Sequence, residues 1–165
     1  MLGRNHVIVG VGLYLTAEYA LGAGGGQPAL VNCLAAAALG SLAPDIDSPN
    51  SFLGRRLWPV SWTVSALVRH RGPTHSLLAC LVVMIGMAAG SRMYPAWSPY
   101  FLAFGIGYAS HLLADWFTTE GVPLFWPNRK RFRSPLNFRT GGMVENLFGL
   151  TAGAGLGYWF YRFFV

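Results

Sequence analysis

His111 and Asp115 stand four residues apart inside an apolar run, a spacing that puts both side chains on one helix face, one turn apart. Imidazole and carboxylate together are ligands for a divalent metal such as zinc or manganese. A second pair, Asp45 and Asp47, follows Pro44 two residues apart. There a turning backbone can aim one carboxylate at an ion and let the other orient a histidine or bridge a second ion. His75, at the start of another apolar run, completes a ligand set of Asp45 or Asp47, His75, His111 and Asp115. An ion held in such a site lowers the pKa of water to about 7, which is hydrolytic chemistry. His6 and Glu145 are candidates for a second ion or for supporting roles. Asp47 and Glu145 are the candidates for acid–base work, and His6 joins the metal candidates.

These groups are concentrated in a chain that has few of them. Only 11% of its residues are charged, yet Pro44 to Ser76 holds two of the six acids, two of the four histidines and four of the twelve Lys and Arg residues. Arg55 and Arg71 fall in that stretch, and their planar forks suit phosphate oxygens, so they are the substrate-binding candidates. Taken singly, each residue has a plainer reading. Arginines beside apolar spans set orientation and meet lipid phosphates, His70 in a basic run is solvated, and Gly72-Pro73 is a turn. The joint pattern is what favours a metal.

At 165 residues the chain is one domain, 1–165. It is 53% hydrophobic, its mean hydropathy is +0.41, and its apolar residues come in runs, which is the membrane class. Six tryptophans and 15% aromatic residues suit a protein with two lipid–water interfaces to line. The net charge of +6 does not point to nucleic acid, because no basic run is interleaved with aromatics. Cys33 and Cys80 lie alone in apolar runs and read as small buried hydrophobes.

The elements that must position the site follow from the runs. His6–Gly22, Ala29–Ala43, Leu77–Ala89, Tyr100–Phe117 and Met143–Phe164 predict an all-α, polytopic transmembrane helical bundle of about five spans. Leu57–Val68, with Trp58 and Trp62, predicts a short interfacial helix between spans two and three. Thr74 or Ser76 is placed to cap the third span. Folding the chain this way puts ten basic residues on one face, so the positive-inside rule predicts a cytoplasmic N-terminus and cytoplasmic long loops. The same folding brings all four histidines and five of the six acids to that face, Glu18 being the exception.

The motifs Pro44-Asp45-Ile46-Asp47-x-Pro49-Asn50-Ser51, Leu53-Gly54-Arg55, His70-Arg71-Gly72-x-Thr74-His75-Ser76, Ser110-His111-Leu112-x-x-Asp115 and Gly121-Val122-Pro123-Leu124-x-Trp126-Pro127 together resemble the YdjM-type family. That family is described as bacterial inner-membrane, metal-dependent hydrolases, some under LexA control. The resemblance runs from His6 to about Glu145. It departs at Ser48, where the family often carries a histidine after the second Asp. There is a looser similarity to zinc-dependent phospholipase C, whose ligand pattern His6, Asp45, His75, His111 and Asp115 would match. Its further His-x-x-x-Glu pair is missing, since Gly141 stands four before Glu145. The resemblance implies a divalent cofactor (zinc first, then manganese or iron) and an inner-membrane location.

The expectation is therefore a membrane-bound, metal-dependent hydrolase with a cytoplasm-facing site, whose partners are membrane lipids and a lipid-like or phosphorylated substrate. The alternatives are a metal-ion transporter and a non-catalytic subunit stapled by its metal. Transport sites sit near the bilayer midplane, whereas these groups crowd one face.

Overall fold

The computed structural model describes residues 1–21, 27–67 and 72–164. Among them the structure is all-helical: α1 (Gly3–Leu21), α2 (Gln27–Leu42), α3 (Phe52–Arg56), α4 (Trp58–Leu67), α5 (Leu77–Met93), α6 (Ser98–Trp116) and α7 (Met143–Phe164). Short 3-10 turns cover Ala43–Asp47, Pro73–His75 and Pro95–Trp97. No strand forms among the described residues; the long loop after α6 carries two isolated bridges, Thr118 with Phe138 and Val122 with Phe132.

The apolar runs become α1, α2, α5, α6 and α7, and α4 falls where the interfacial helix is expected. Gly22, at the end of the first expected span, and Val68, at the end of the expected interfacial helix, lie outside the described residues. Of the two candidate caps for α5, Ser76 is the one used: its Oγ accepts from Ala79 N at 3.1 Å. Thr74 is turned to another purpose at the site. Among the described residues one continuous segment, Ala29–Asp47, is both long and apolar enough to cross a bilayer by length and composition, and α5 is apolar but shorter.

α6 is the central helix, packed by α1, α2 and α5, while α7 lies against α1. The α2–α6 contact is close because it is made of small residues. A Cβ at Gly40 would collide with the carbonyl oxygen of Phe104, and one at Gly107 with that of Ala37. Each helix therefore presses its glycine against the other's backbone, the way helices approach when there is no water to expel. The neighbours also fix direction. Gly10 faces Ser41, Gly90 faces Phe101, and Gly149 faces Asn5 while Gly153 faces Ile8. Hence α1 and α7 run parallel, and α5 and α6 run opposite ways.

Inside and outside are inverted relative to a protein made for water. Among the described residues, thirteen polar or charged side chains are buried beside twelve apolar ones. Meanwhile Trp58, Trp62, Leu78, Val82, Ile85, Leu150 and Tyr158 are exposed, and α5 buries none of its residues. Large exposed apolar faces around a polar interior call for an apolar surrounding. The apolar core, including Tyr14, Leu15, Leu30, Cys33, Ala37 and Ala103, fills the half of the bundle away from the site.

Candidate metal centre

The polar interior gathers at one end. α2 runs into Pro44, which starts the 3-10 turn that carries Asp45 and Asp47. Asp45 is pinned there because its carbonyl accepts from Ser51 Oγ at 2.8 Å and from Ser48 N at 3.0 Å. Pro73 starts the turn that delivers His75, and Tyr108 Oη of α6 donates to Thr74 O at 2.6 Å to hold that turn down. α6 supplies His111 and Asp115 directly, and the first turn of α1 supplies His6.

Four atoms from these elements converge. His75 Nε2 lies 3.1 Å from His111 Nε2, 3.5 Å from Asp45 Oδ1 and 3.8 Å from Asp115 Oδ2. His111 Nε2 lies 3.7 Å from Asp45 Oδ1 and 3.6 Å from Asp115 Oδ2. Two His/His/Asp triangles thus share the His75–His111 edge. Ligands bound at 2.0–2.2 Å to a tetrahedral zinc are about 3.3–3.6 Å from one another, which matches these edges. His6, Asp45 and His111 form an overlapping group, and His75, His111 and Asp115 another.

The proton positions strengthen the fit. His111 Nδ1 is 2.7 Å from Ser41 O, which can only accept, so that nitrogen carries a proton and the neutral ring, the form that binds metal, turns its Nε2 lone pair inward. Thr74 Oγ1 donates to Asp47 Oδ2 at 2.6 Å and lies 3.0 Å from His75 Nδ1, whose proton it then accepts. Asp47 Oδ2 itself is 3.4 Å from His75 Nδ1. The two carboxylates of the Asp-Ile-Asp turn bracket one imidazole, Asp47 at the outer nitrogen and Asp45 at the inner. Two neutral imidazole nitrogens flanked by carboxylate oxygens on each triangle are a set that a cation would satisfy. Without an ion a proton can serve. Burial of His75 works against its charge, but hydrogen bonds to Asp45 and Asp47 and the charges of Asp47 and Asp115 prevail, pushing its pKa up to about 9.

His6 stacks on His111 with ring centroids 3.7 Å apart and an interplanar angle of 9°. Its Nε2 is 3.4 Å from Asp115 Oδ1, which also accepts from the Met1 amine at 2.5 Å. Buried His6 Nδ1 has no hydrogen-bond partner among the described residues, as a further ligand atom would. His6, Asp47, His75, His111 and Asp115 are all fully buried, whereas the Asp45 side chain is 18% exposed and forms the opening. It lines a cleft of about 530 Å³ together with Arg4, Asn50, Ser51 and Arg55.

Glu145 sits beside the cluster without entering either ligand group. Its Oε1 accepts from Leu2 N at 2.6 Å and Asn5 Nδ2 at 2.8 Å, and its Oε2 accepts from Gly141 N at 2.6 Å. Those bonds clasp the start of α1 to the start of α7. Arg55 reaches the cleft; Arg71 and His70 lie outside the described residues. The residues that sequence reasoning missed are Ser41, Asn5 and Arg4, along with the orienting role of Thr74. Ser41 acts through its backbone, which no side-chain pattern reveals. Thr74, next to His75, was the discoverable one.

Residues 1–164 match the family model described as YdjM inner membrane protein. Inner membrane protein YdjM of Escherichia coli (strain K12) is 43% identical over 103 residues, which are 61% of this chain and 52% of that protein. The Shigella flexneri protein of the same name gives the same figures. The chain thus spans about half the length of these two curated relatives. Uncharacterized protein YvsG of Bacillus subtilis (strain 168) is 34% identical over 166 residues, covering 99% of this chain and 97% of that one. No solved structure matches the chain.

Proposed function

The chain belongs to the YdjM inner membrane protein family, and from that premise we propose that it is a multi-pass inner-membrane, metal-dependent hydrolase. Its site faces the cytoplasm and acts on a phosphoester or ester at the membrane surface. The observation that carries this reading is the convergence of His75 Nε2, His111 Nε2, Asp45 Oδ1 and Asp115 Oδ2 at 3.1–3.8 Å, with both outer nitrogens engaged. Zinc suits this nitrogen–oxygen set, with manganese and iron as the other candidates. A bound divalent ion supplies Lewis acidity, polarising a phosphoryl oxygen and bringing the pKa of water to about 7.

The protein's own groups do the rest. Asp47 and Thr74 hold His75 in the tautomer that offers Nε2, and Ser41 O does the same for His111. Asp45 links the buried cluster to the cleft, where Arg55 can meet phosphate oxygens. Five crossings are supported by the alternating helix directions and the exposed apolar faces of α5 and α7. With five crossings, the basic loops fall on the site's side, which makes that side cytoplasmic.

The test is phosphate release from a panel of lipid-linked and water-soluble phosphate esters by detergent-purified protein with added zinc or manganese. Wild type turning over at least one ester, with His111→Ala inactive, supports the reading. Metal bound by wild type with no turnover across the panel favours a metal that only staples the helix ends. Zinc flux into proteoliposomes would favour transport.

A further inference from the structure

The cleft beside Asp45 and a second, apolar hollow share one face of α1. Arg4 and Arg55 line the cleft, and both are exposed. Arg4 is steadied by α7, since its Nη2 donates to Asn146 Oδ1 at 2.6 Å. Asp45 is the single acid among the described residues that line the cleft, and ligation of an ion would occupy its charge. The cleft therefore favours an anion.

Residues four apart on a helix share a face, so Ile8, Gly12 and Thr16 lie in line below Arg4. All three line a groove of about 360 Å³ whose other wall is α7, through Phe148, Gly155 and Trp159. The groove stays open because glycines leave it so: a Cβ at Gly155 meets nothing within 4 Å. From Arg4 to Thr16 is about 18 Å along the axis at 1.5 Å per residue. That is about the half-thickness, ~15 Å, of a bilayer's hydrocarbon core. A basic head site thus lies one helical turn from an apolar slot of the right depth for one hydrocarbon chain.

Resting on the hydrolase reading, we propose that the substrate is a lipid-linked phosphate. Its phosphate sits between Arg4 and Arg55 next to Asp45, and its hydrocarbon chain lies in the groove between α1 and α7. Arg4 and Arg55 select for the anionic head, and the groove selects against water-soluble phosphates.

The experiment reads binding, so it does not depend on turnover. Phosphatidic acid with mid-chain bromines is added to zinc-loaded protein in neutral detergent micelles, and tryptophan fluorescence is followed, with Trp159→Phe assigning the quenched component. The expected result is quenching at least fivefold stronger than that by brominated phosphatidylcholine, competed by unlabelled phosphatidic acid but not by glycerol phosphate. R4Q with R55Q removes the preference for the anionic lipid. Gly155→Leu, which puts a side chain into the slot at a position where a Cβ meets nothing within 4 Å, cuts the competable quenching at least fivefold with zinc content unchanged. Gly157→Leu, whose Cβ also meets nothing but which does not line the groove, leaves quenching as in wild type. Equal quenching by both lipids, competition by glycerol phosphate, or indifference to Gly155→Leu would overturn the proposal. Saturable lipid binding without any phosphate release would instead strike the hydrolase reading and leave the binding site standing.

Discussion

Asp115 and Glu145 are both fully buried carboxylates at the same end of the bundle, and the start of α1 touches each of them. Their surroundings differ in kind. Among the described residues Glu145 is met only by donors, two backbone N–H groups and an amide, so its charge is answered within the protein. Asp115 Oδ1 also has a donor, the Met1 amine, but its Oδ2 faces the Nε2 atoms of His75 and His111, which present lone pairs when the rings are neutral and which a second carboxylate, Asp45, also approaches. A buried carboxylate surrounded by donors is a structural tie, and acceptors converging on acceptors make a cation site. The difference teaches that residue type and depth alone do not identify a ligand; the partners' proton positions do.

The largest effect should come from breaking the cluster. Asp115→Asn should lower divalent-metal affinity and any phosphate release by more than the ~10–100-fold typical of losing an orienting partner. Isothermal titration with zinc, beside the release assay, checks this. Asp47→Asn, which alters the carboxylate that meets Thr74 and the outer nitrogen of His75, should weaken zinc by about 10–100-fold while leaving one site that fills at saturation. A loss as complete as that of Asp115→Asn would mean that Asp47 is itself a ligand.

Glu145→Gln sharpens the contrast from the other side. It places an amide where N–H groups point, so it should destabilise the protein by about 1–3 kcal/mol while zinc stoichiometry stays at the wild-type value. Thermal unfolding in detergent and metal analysis on the same sample distinguish the two regions. Loss of metal with retained stability would reverse the assignment.

The smallest effect is that of pH. His75 is raised to about 9 in the folded protein against about 6.5 when unfolded. In the metal-free protein its charge therefore stabilises fully below about pH 6.5, and that contribution is lost as pH rises through 9. Metal requires the neutral ring, so zinc affinity should rise across the same interval. Melting temperatures of metal-free and zinc-loaded protein between pH 6.5 and 9.5 should diverge as pH increases. Parallel curves would show that His75 does not bind the ion.

Much of this was legible in the sequence where side chains and periodicity carry the information. His111 and Asp115 announce a helix face by their spacing, and Pro44 before Asp-x-Asp announces a turn. Met143–Phe164 reads as a helix from its apolar run, and α7 has those bounds. What escaped depends on backbone and on distant packing. Ser41 orients His111 through a carbonyl, and Leu2 and Gly141 satisfy Glu145 through amides, so none has a signature. The mutual insertion of Gly40 and Gly107 needs the helices' crossing point, which a run of apolar residues does not contain. The groove between α1 and α7 is likewise a property of two helices 140 or so residues apart (Phe148 facing the Ile8 side) and is absent from either run alone.

The His/Asp cluster, and not Glu145, is expected to bind a divalent ion. Elemental analysis of detergent-purified wild type, His111→Ala and Glu145→Gln after incubation with zinc and gel filtration tests it most directly. The expected result is about one equivalent of zinc or more in wild type and Glu145→Gln, and a background level in folded His111→Ala. Wild type that retains no zinc, manganese or iron, or a His111→Ala variant that retains as much as wild type, would contradict it.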